Sequence, residues 1–511
     1  MLCSIIKGNS MERYIYSLIL LSASLLLFAN VKVIDTAGCN LAIVEETDTN
    51  TYSLKSTSGA HNWWSGVFNG LDTSNPTTFN LDMTDTGNRE SPGNVSNWEG
   101  LYPVYSYGRY WDYNNFIYYI KNADGYWVSS DIFAKEKLAG NDKTPTQNVI
   151  PTELANEFLS EDGNYWSSWQ EIKDTGINIG SNTFSMTKQF SSPNASLSMR
   201  VPYTYDYQLQ YMRKLTAADI SGVTIYNIGN SSSMTIKQDL YIVEVSDPNA
   251  SEAELQNRRV VLLYANEDSD EPDSCWAITG AMNYLVQGIK NNDNEVKKIL
   301  SEVTFLFIPM LDPLGWRNSV YGGLTYSFYV SSYDFLEMIS QEAVLYATFV
   351  NKWCGDKRKR LDIVCSIHNV ECNEGHNVMF PIVDTWSDAD CVDQLREALL
   401  AGFGEYKTSD NVWMYGLMFR RFNGWCSEKW GSIPLLSEIN SRYPVKRLNM
   451  FDMDKLGEMY VKGYYNYFLS DAYERALPII TRRYSLQIER RDQFLEINSV
   501  KKLSDILDKG Y

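Results

Sequence analysis

The chain has very little histidine, no closely spaced cysteine pair and no excess of positive charge. Its 511 residues include three histidines, and its eight cysteines form no C-x-x-C pair, which argues against a cysteine zinc site. Lys and Arg number 45 against 63 Asp and Glu, giving a formal net charge of −18. This charge repels nucleic acid, which is therefore not an expected partner. A polar active site must rely on carboxylates and few imidazoles.

Long apolar runs are absent beyond the one near the N-terminus. Lys7 and Arg13 precede an apolar run over residues 14–29, a pattern typical of a signal peptide and short for a membrane span. We therefore predict a signal peptide or N-terminal anchor over residues 1–38. The protein is expected to be secreted or extracellular, or tethered to a membrane by an uncleaved N-terminal segment. In an oxidising compartment its cysteines could pair, in a pattern that the sequence does not fix.

Two regions follow, with different hydrophobic periodicities. Residues 40–204 carry short alternating runs between Gly and Asn turns, which predicts an antiparallel β domain. Over residues 205–475, buried strands alternate with helices, which predicts an α/β sheet with helices on both faces. Residues 476–511 form a C-terminal extension. Strands are predicted at 258–265, 303–311, 361–368, 376–383 and 433–439, and helices at 274–290, 331–353, 390–406 and 452–469.

Polar residues fall where the predicted strands end. Asp268 and Glu271 follow the first strand, inside the acidic run "NEDSDEPD", and His368 ends the third. Glu438 lies inside the apolar strand "IPLLSEI", where a buried carboxylate is costly unless it is paired or functional. Ligands of open α/β sheets bind beyond the carboxyl ends of the strands. These four residues are therefore the candidates for a functional site.

The order of these motifs resembles the zinc carboxypeptidase (funnelin) family. In that family the first metal ligands open a helix as H-P-G-E-P, and here the matching run is D-S-D-E-P over residues 268–272. "DPLG" (312–315) is similar to the family's N-P-D-G, "SIHNVECNEGH" (366–376) to its D-x-H-G-H, and "LLSEI" (435–439) to its T-x-E-L. "PYTY" (202–205) resembles the end of the N-terminal β-sandwich in the cytosolic-carboxypeptidase branch.

The resemblance implies a mixed-sheet catalytic domain preceded by an antiparallel β-sandwich. It also implies a site in which zinc or another divalent metal activates water to cleave a peptide C-terminal residue or a related amide. The substrate partner would be a peptide or protein C-terminus. The residues that the resemblance assigns are Asp268, Glu271 and His368 as metal ligands, Glu438 as general base, Arg317 at the oxyanion and Tyr326 at the substrate.

Two departures from the family pattern bear on activity. Asp268 replaces the first histidine ligand, and the more negative donor set that results would suit a harder ion such as Mn²⁺ or Ca²⁺. The family's L-N-R triplet, which binds the substrate carboxylate, is Leu324-Thr325-Tyr326 here. Tyrosine cannot form a bidentate charge pair with a carboxylate. Arg420, Arg421 and Arg442 are candidates to replace the missing arginine.

Structural interpretations and other functions remain open at this point. Asp268 and Glu271 could be an acidic helix cap, and His368 a hydrogen-bonded strand-end histidine. A catalytically inactive family member that serves as an extracellular binding module is the main alternative to a secreted hydrolase. A carbohydrate-binding protein is the third hypothesis, because the β region is rich in Trp, although such residues usually pack in the core.

Overall fold

The fold was described from a computed structural model of the full chain. The structure describes parts of both regions, 40–204 and 205–475, and a larger share of the second. The described residues are 31–34, 41–56, 65–82, 118–121, 127–130, 177–179, 183–190, 194–198, 203, 205–231, 237–268, 271–313, 335, 338, 340–358, 360–370, 378–380, 382–383, 389–406, 414–415, 421–440, 450–478 and 480.

Two five-stranded sheets lie within the first two hundred residues. Their strand orders are β1-β4-β10-β6-β7 and β2-β3-β5-β9-β8, and every pairing is antiparallel except β3 with β5. Phe68 and Phe79, from different sheets, pack against each other with tilted rings whose centroids are 4.4 Å apart. The first strand lies inside the predicted leader. The strands are β1 Lys32–Ile34, β2 Leu41–Asp48, β3 Thr51–Ser56, β4 Ser65–Asn69, β5 Thr77–Asp82, β6 Tyr118–Lys121, β7 Trp127–Ser130, β8 Ile177–Ile179, β9 Thr183–Lys188 and β10 Asn194–Ser198.

A seven-stranded mixed sheet forms the centre of the C-terminal region. Its strand order is β11-β12-β14-β13-β15-β19-β16, in which β14, β13, β15 and β19 are parallel and the outer pairings are antiparallel. Two further short strands, β17 and β18, pair with each other. The strands are β11 Val223–Asn230, β12 Asp239–Val245, β13 Arg259–Ala265, β14 Val303–Ile308, β15 Ile363–Val370, β16 Val378–Met379, β17 Ile382–Val383, β18 Met414–Tyr415 and β19 Ile433–Asn440.

Helices cover both faces of this sheet. Along β13, Val261 and Leu263 join one buried cluster, while Leu262 and Tyr264 join the other. A strand buried on both faces explains its unbroken apolar run. The predicted mixed α/β sheet with helices on both faces is confirmed. The helices are α1 Tyr205–Ala218, α2 Glu252–Leu255, α3 Pro272–Lys290, α4 Asn294–Glu302, α5 Gln341–Lys352, α6 Ala389–Gly402, α7 Phe422–Trp430 and α8 Met450–Phe468, with a π turn at Trp353–Arg358 and a 3₁₀ turn at Gly404–Tyr406.

Helix α3 runs from the site into the core and is fixed there by close packing against α8. A Cβ atom on Gly457 would lie 2.2 Å from the backbone nitrogen of Ala281. A Cβ on Gly280 would lie 2.6 Å from the Cα of Asp454. The two glycines therefore let the backbones of α3 and α8 approach closely, and that contact sets the position of α3, whose N-cap residue is Glu271.

The predicted helix at 331–353 begins later than its sequence pattern indicates. Ser340 caps it, its side chain accepting from Ala343 N at 3.2 Å, so α5 starts at Gln341. Met338 just before it has a φ of +53°, which a helix interior does not allow. The predicted strand at 376–383 is two short strands, β16 and β17. Strands β11 and β12 and helices α1, α2, α4 and α7 were not predicted.

Among the described residues, no helix is long and apolar enough to cross a membrane. Four of the described cysteines are buried free thiols rather than disulfides. They lie in strands or helices of the C-terminal region or in the π turn, and burial raises the pKa of each thiol. They are Cys275, Cys354, Cys365 and Cys426.

Candidate metal centre and active site

The acidic run begins with a sharp turn after β13. Asn266 adopts a left-handed backbone with φ +62°, which asparagine tolerates better than most residues. The turn is held against the neighbouring strand, because Leu311 N donates to Ala265 O at 2.9 Å and Asp312 N to Asn266 O at 3.2 Å. It brings Glu267 and Asp268 beneath the first turn of α3.

Glu271 occupies the N-cap position of α3, and Pro272 follows as the first helical residue. The Glu271 side chain makes no capping hydrogen bond to the helix. Instead its Oε2 accepts from the backbone nitrogen of Asn369 at 2.9 Å, at the end of β15. Asn369 in turn accepts from Ser274 N at 2.9 Å and caps the helix in place of Glu271. The Glu271 carboxylate is thereby turned away from its own helix and toward β15.

Asp268, Glu271 and His368 converge at the carboxyl ends of β13 and β15. One ligand atom from each lies within 4.8 Å of the others. His368 Nδ1 is 2.9 Å from Glu271 Oε2 and 3.1 Å from Asp268 Oδ2. All three side chains are buried, between 2% and 6% exposed. The structure thus brings together the three residues to which the sequence resemblance assigns metal binding.

The buried ionisable groups of the cluster shift one another's pKa. Burial raises the pKa of Glu271 well above its usual range, because removal from water disfavours the carboxylate. Burial alone would lower the pKa of His368. The Glu271 charge, followed by hydrogen bonds to the surrounding carboxylates, outweighs burial and raises that pKa. Such a cluster is stabilised by a bound cation.

The donor set fits a divalent metal. It offers two carboxylates and one imidazole, each accepted by zinc, and three protein ligands leave a fourth position open. The carboxylates also suit harder ions such as Mn²⁺. The mutual distances of their donor atoms would let one ion contact all three residues.

Behind His368 lies Glu267, a residue of the acidic run that the sequence did not assign to the site. Glu267 is fully buried, and its Oε2 lies 3.2 Å from His368 Nε2. The same oxygen accepts from Ser366 Oγ at 3.0 Å and from Arg421 Nη1 at 3.2 Å. Arg421 Nη1 also lies 3.0 Å from His368 Nε2. Arg421 is 53 positions from His368 in the chain, so no local pattern reveals this contact.

Glu438 lies next to His368 across the sheet. The two residues are register partners on the parallel strands β15 and β19, so their side chains leave the same face of the sheet. Glu438 is 5% exposed, and its charge contributes to raising the pKa of Glu271. A carboxylate thus stands beside the three donors, within electrostatic reach of them.

Two other predicted site residues lie outside the described part of the chain. They are Arg317 and Tyr326. Thr325 of the aligned triplet and the arginine candidates Arg420 and Arg442 also lie outside the described residues. Of the three candidates to replace the missing arginine, the structure describes Arg421. Its Nη1 contacts Glu267 and His368, so this arginine faces the metal cluster.

Comparison with known proteins points to one class of enzyme. Residues 208–319 match the family model described as zinc carboxypeptidase. The matched segment contains Asp268 and Glu271 and ends before His368 and Glu438. No curated protein shows a significant sequence match to the chain.

Solved structures share the fold over most of the chain. A metallo-carboxypeptidase from Burkholderia cenocepacia is similar with a TM-score of 0.59 at 10% identity, covering 86% of this chain and 99% of that one. A metallo-carboxypeptidase from Pseudomonas aeruginosa, in complex with (2-guanidinoethylmercapto)succinic acid, is similar with a TM-score of 0.56 at 11% identity, covering 88% and 100%.

The matched segment and the shared fold together support a carboxypeptidase-like domain. The family is one of zinc enzymes, and zinc is accordingly the metal expected at the cluster of Asp268, Glu271 and His368.

Proposed function

We propose that the protein is a metal-dependent hydrolase that removes the C-terminal residue of a peptide or cleaves a related amide. The observation that carries the proposal is the convergence of three buried donor side chains beside Glu438. In this proposal Asp268, Glu271 and His368 hold the ion. When bound, zinc polarises the scissile carbonyl and lowers the pKa of water at the site.

The remaining chemistry falls to the chain's own side chains. Glu438 takes the proton from the attacking water and delivers it to the leaving amine, which is the work of a general base followed by a general acid. Its burial, at 5% exposed, limits competing bulk water. Arg317 is proposed to stabilise the oxyanion, and Tyr326 to donate a hydrogen bond to the substrate.

The surrounding organisation is proposed as follows. Residues 1–38 are the signal peptide or anchor that directs the protein to the outside of the cell or tethers it to a membrane. Residues 40–204 form a β-sandwich from the two five-stranded sheets, apart from the edge strand Lys32–Ile34, and this sandwich is similar to the domain that precedes the catalytic domain in the cytosolic-carboxypeptidase branch. Residues 205–475 form the catalytic domain, and residues 476–511 the C-terminal extension.

An inactive binding module is the second candidate function. Its support is the aspartate in place of the first histidine ligand, together with the absence of Asn and Arg from the triplet at 324–326. An Asp/Glu/His donor set transfers more negative charge to the ion and makes it a weaker Lewis acid. Such a protein would serve as an extracellular binding module without hydrolysing a substrate.

Metal content and hydrolysis together separate these functions. The divalent metal bound to the purified protein would be measured by mass spectrometry, with Glu271→Ala and His368→Ala as comparison variants. Hydrolysis of blocked dipeptides with varied C-terminal residues would then be assayed. We expect one metal ion in the wild type, none in the variants, and hydrolysis that Glu438→Gln abolishes. Metal without hydrolysis would favour the binding module, and no bound metal would refute the hydrolase.

A further inference from the structure

Glu267 is not one of the three donors, yet it is the most deeply enclosed carboxylate of the cluster, with no exposed surface. One of its oxygens receives four polar contacts. The contacts to Oε2 come from Tyr264 Oη at 3.3 Å, Ser366 Oγ at 3.0 Å, Arg421 Nη1 at 3.2 Å and His368 Nε2 at 3.2 Å. An ionised carboxylate is costly to bury, and a site that surrounds one with donors fixes its position closely.

Arg421 supplies the counter-charge that this position needs. It is 8% exposed, and its Nη1 is 3.2 Å from Glu267 and 3.9 Å from Asp268 Oδ2. A buried ion pair is tolerated when geometry and further hydrogen bonds offset the loss of hydration. The pair leaves the charge of Glu267 balanced inside the protein. Asp268 and Glu271 lie on the opposite side of the His368 ring, against Nδ1, where a metal would be held.

The two nitrogens of His368 face different surroundings. Nδ1 is turned to Asp268 and Glu271, while Nε2 is turned to Glu267 and Arg421. A ring nitrogen that binds a metal must present its lone pair, so the other nitrogen carries the hydrogen. Glu267 is placed to accept that hydrogen. When Nδ1 carries it instead, Arg421 is placed to donate to Nε2, so the ring keeps its orientation in both forms.

We propose that Glu267, held by Arg421, is the positioning residue that fixes His368 with Nδ1 available to the metal. The inference rests on the proposed metal site and names a residue that acts through His368 rather than on the substrate. A side chain that hydrogen-bonds to a metal-binding histidine sets the tautomer and basicity of its ring, and loss of that side chain weakens metal affinity. The replacement of a histidine ligand by Asp268 makes the site depend on its one imidazole.

The test is the Zn²⁺ affinity of Glu267→Gln, measured by competition with a chromogenic chelator. The substitution keeps the shape of the side chain and removes its charge. We expect about 10–100-fold weaker Zn²⁺ binding. The matched control is Glu244→Gln, because Glu244 is also buried and accepts from Tyr226 Oη at 2.7 Å and Trp353 Nε1 at 3.1 Å. Glu244 is on β12, which β14 separates from β13, so its variant should bind Zn²⁺ like the wild type.

A second measurement uses the wild-type protein and does not depend on how the variant folds. The chain has three histidines, so ¹⁵N-histidine NMR resolves few signals, and variants of His61 and His376 assign them. In the Zn²⁺-loaded protein we expect the hydrogen of His368 on Nε2. A hydrogen on Nδ1, or equal Zn²⁺ affinity of Glu267→Gln and wild type, would overturn the positioning role. A wild type that binds no Zn²⁺ would refute the proposed function as well.

Discussion

Buried charge occurs at both ends of the parallel strands, but it is arranged differently at each. At the amino ends, Asp362 forms what we call the amino-end cluster with Arg360, Tyr473 and the backbone of Val260. Its Oδ2 accepts from Val260 N at 2.7 Å and from Arg360 Nε at 2.8 Å, and its Oδ1 accepts from Tyr473 Oη at 3.1 Å. At the carboxyl ends, the three donors Asp268, Glu271 and His368 together with Glu267 and Arg421 form what we call the carboxyl-end cluster.

Charge balance distinguishes the two clusters. The amino-end cluster pairs one carboxylate with one guanidinium. Burial lowers the pKa of Arg360, but Asp362 more than offsets this and raises it. The carboxyl-end cluster contains three carboxylates, one arginine and one histidine. A buried pair of opposite charges is a structural device, whereas a cluster with more carboxylates than cationic side chains would also accommodate a metal cation. The comparison supports the proposed placement of the active site at the carboxyl ends of the parallel strands.

The largest expected effect concerns catalysis at the carboxyl ends. Glu438→Gln should lower kcat on a blocked dipeptide by about 10²–10⁴-fold, because it removes the group that moves the proton. Zn²⁺ affinity should stay at the wild-type value, since Glu438 is not among the donors. Steady-state kinetics and chelator competition measure both quantities. Unchanged kcat would remove Glu438 from the mechanism.

Asp362→Asn tests the structural role of the amino-end cluster. The change removes the charge that balances Arg360 and should lower the free energy of unfolding by about 3 kcal/mol, since breaking a buried pair leaves its partner uncompensated. Denaturant unfolding measures the loss. Zn²⁺ affinity of the folded variant should be unchanged. If Asp362→Asn weakened Zn²⁺ binding while leaving stability intact, the two clusters would not have separate roles.

Removing the metal should destabilise the protein through the carboxyl-end cluster alone. A ligand that binds only the native state at 100 times its Kd adds about 2.7 kcal/mol to the free energy of unfolding. Chelation should therefore lower the Tm of the wild type, and His368→Ala should show no Tm difference with or without Zn²⁺. An equal shift in both proteins would mean that the ion binds elsewhere.

The smallest expected effect concerns Asp454 on α8, a carboxylate in neither cluster. Its Oδ1 is buried and has no hydrogen-bond partner among the described residues. Burial raises the pKa of Asp454 to about 7. The folded state therefore holds the proton more tightly than the unfolded state, and stability falls as pH rises from about 4 to about 7. Asp454→Asn should be more stable than the wild type by about 1–3 kcal/mol at pH 8 and equally stable at pH 4. Urea unfolding at both pH values measures this, and an equal difference at both would show that Asp454 is not the cause.

The fold was predictable where local patterns carry it. The unbroken apolar runs of β13, β14, β15 and β19 indicate strands buried on both faces, and their register brings the strand ends together. The start of α5 was not predictable from periodicity, because the cap at Ser340 and the backbone of Met338 fix it. Strands β11 and β12 alternate less regularly. β11 is an edge strand with a bulge between Asn227 and Gly229, which breaks its period.

The part of the proposed site that was predictable consists of the three donor residues and Glu438. Asp268, Glu271, His368 and Glu438 each end or follow a strand and match a motif in order. Glu267 was visible in the sequence, but its role depends on which way the turn at Asn266 points it. Arg421 comes from the start of a distant helix, and its contact with His368 arises from tertiary packing alone. Partners that act through another side chain leave no local signal.

The most direct test of the central claim is an anomalous difference map recorded at the zinc edge from Zn²⁺-soaked crystals. A bound ion should appear as a single peak about 2.0–2.2 Å from Asp268 Oδ2, Glu271 Oε2 and His368 Nδ1. The account predicts that peak in the wild type and its loss in His368→Ala. A peak at other residues, or none at these three, would contradict it.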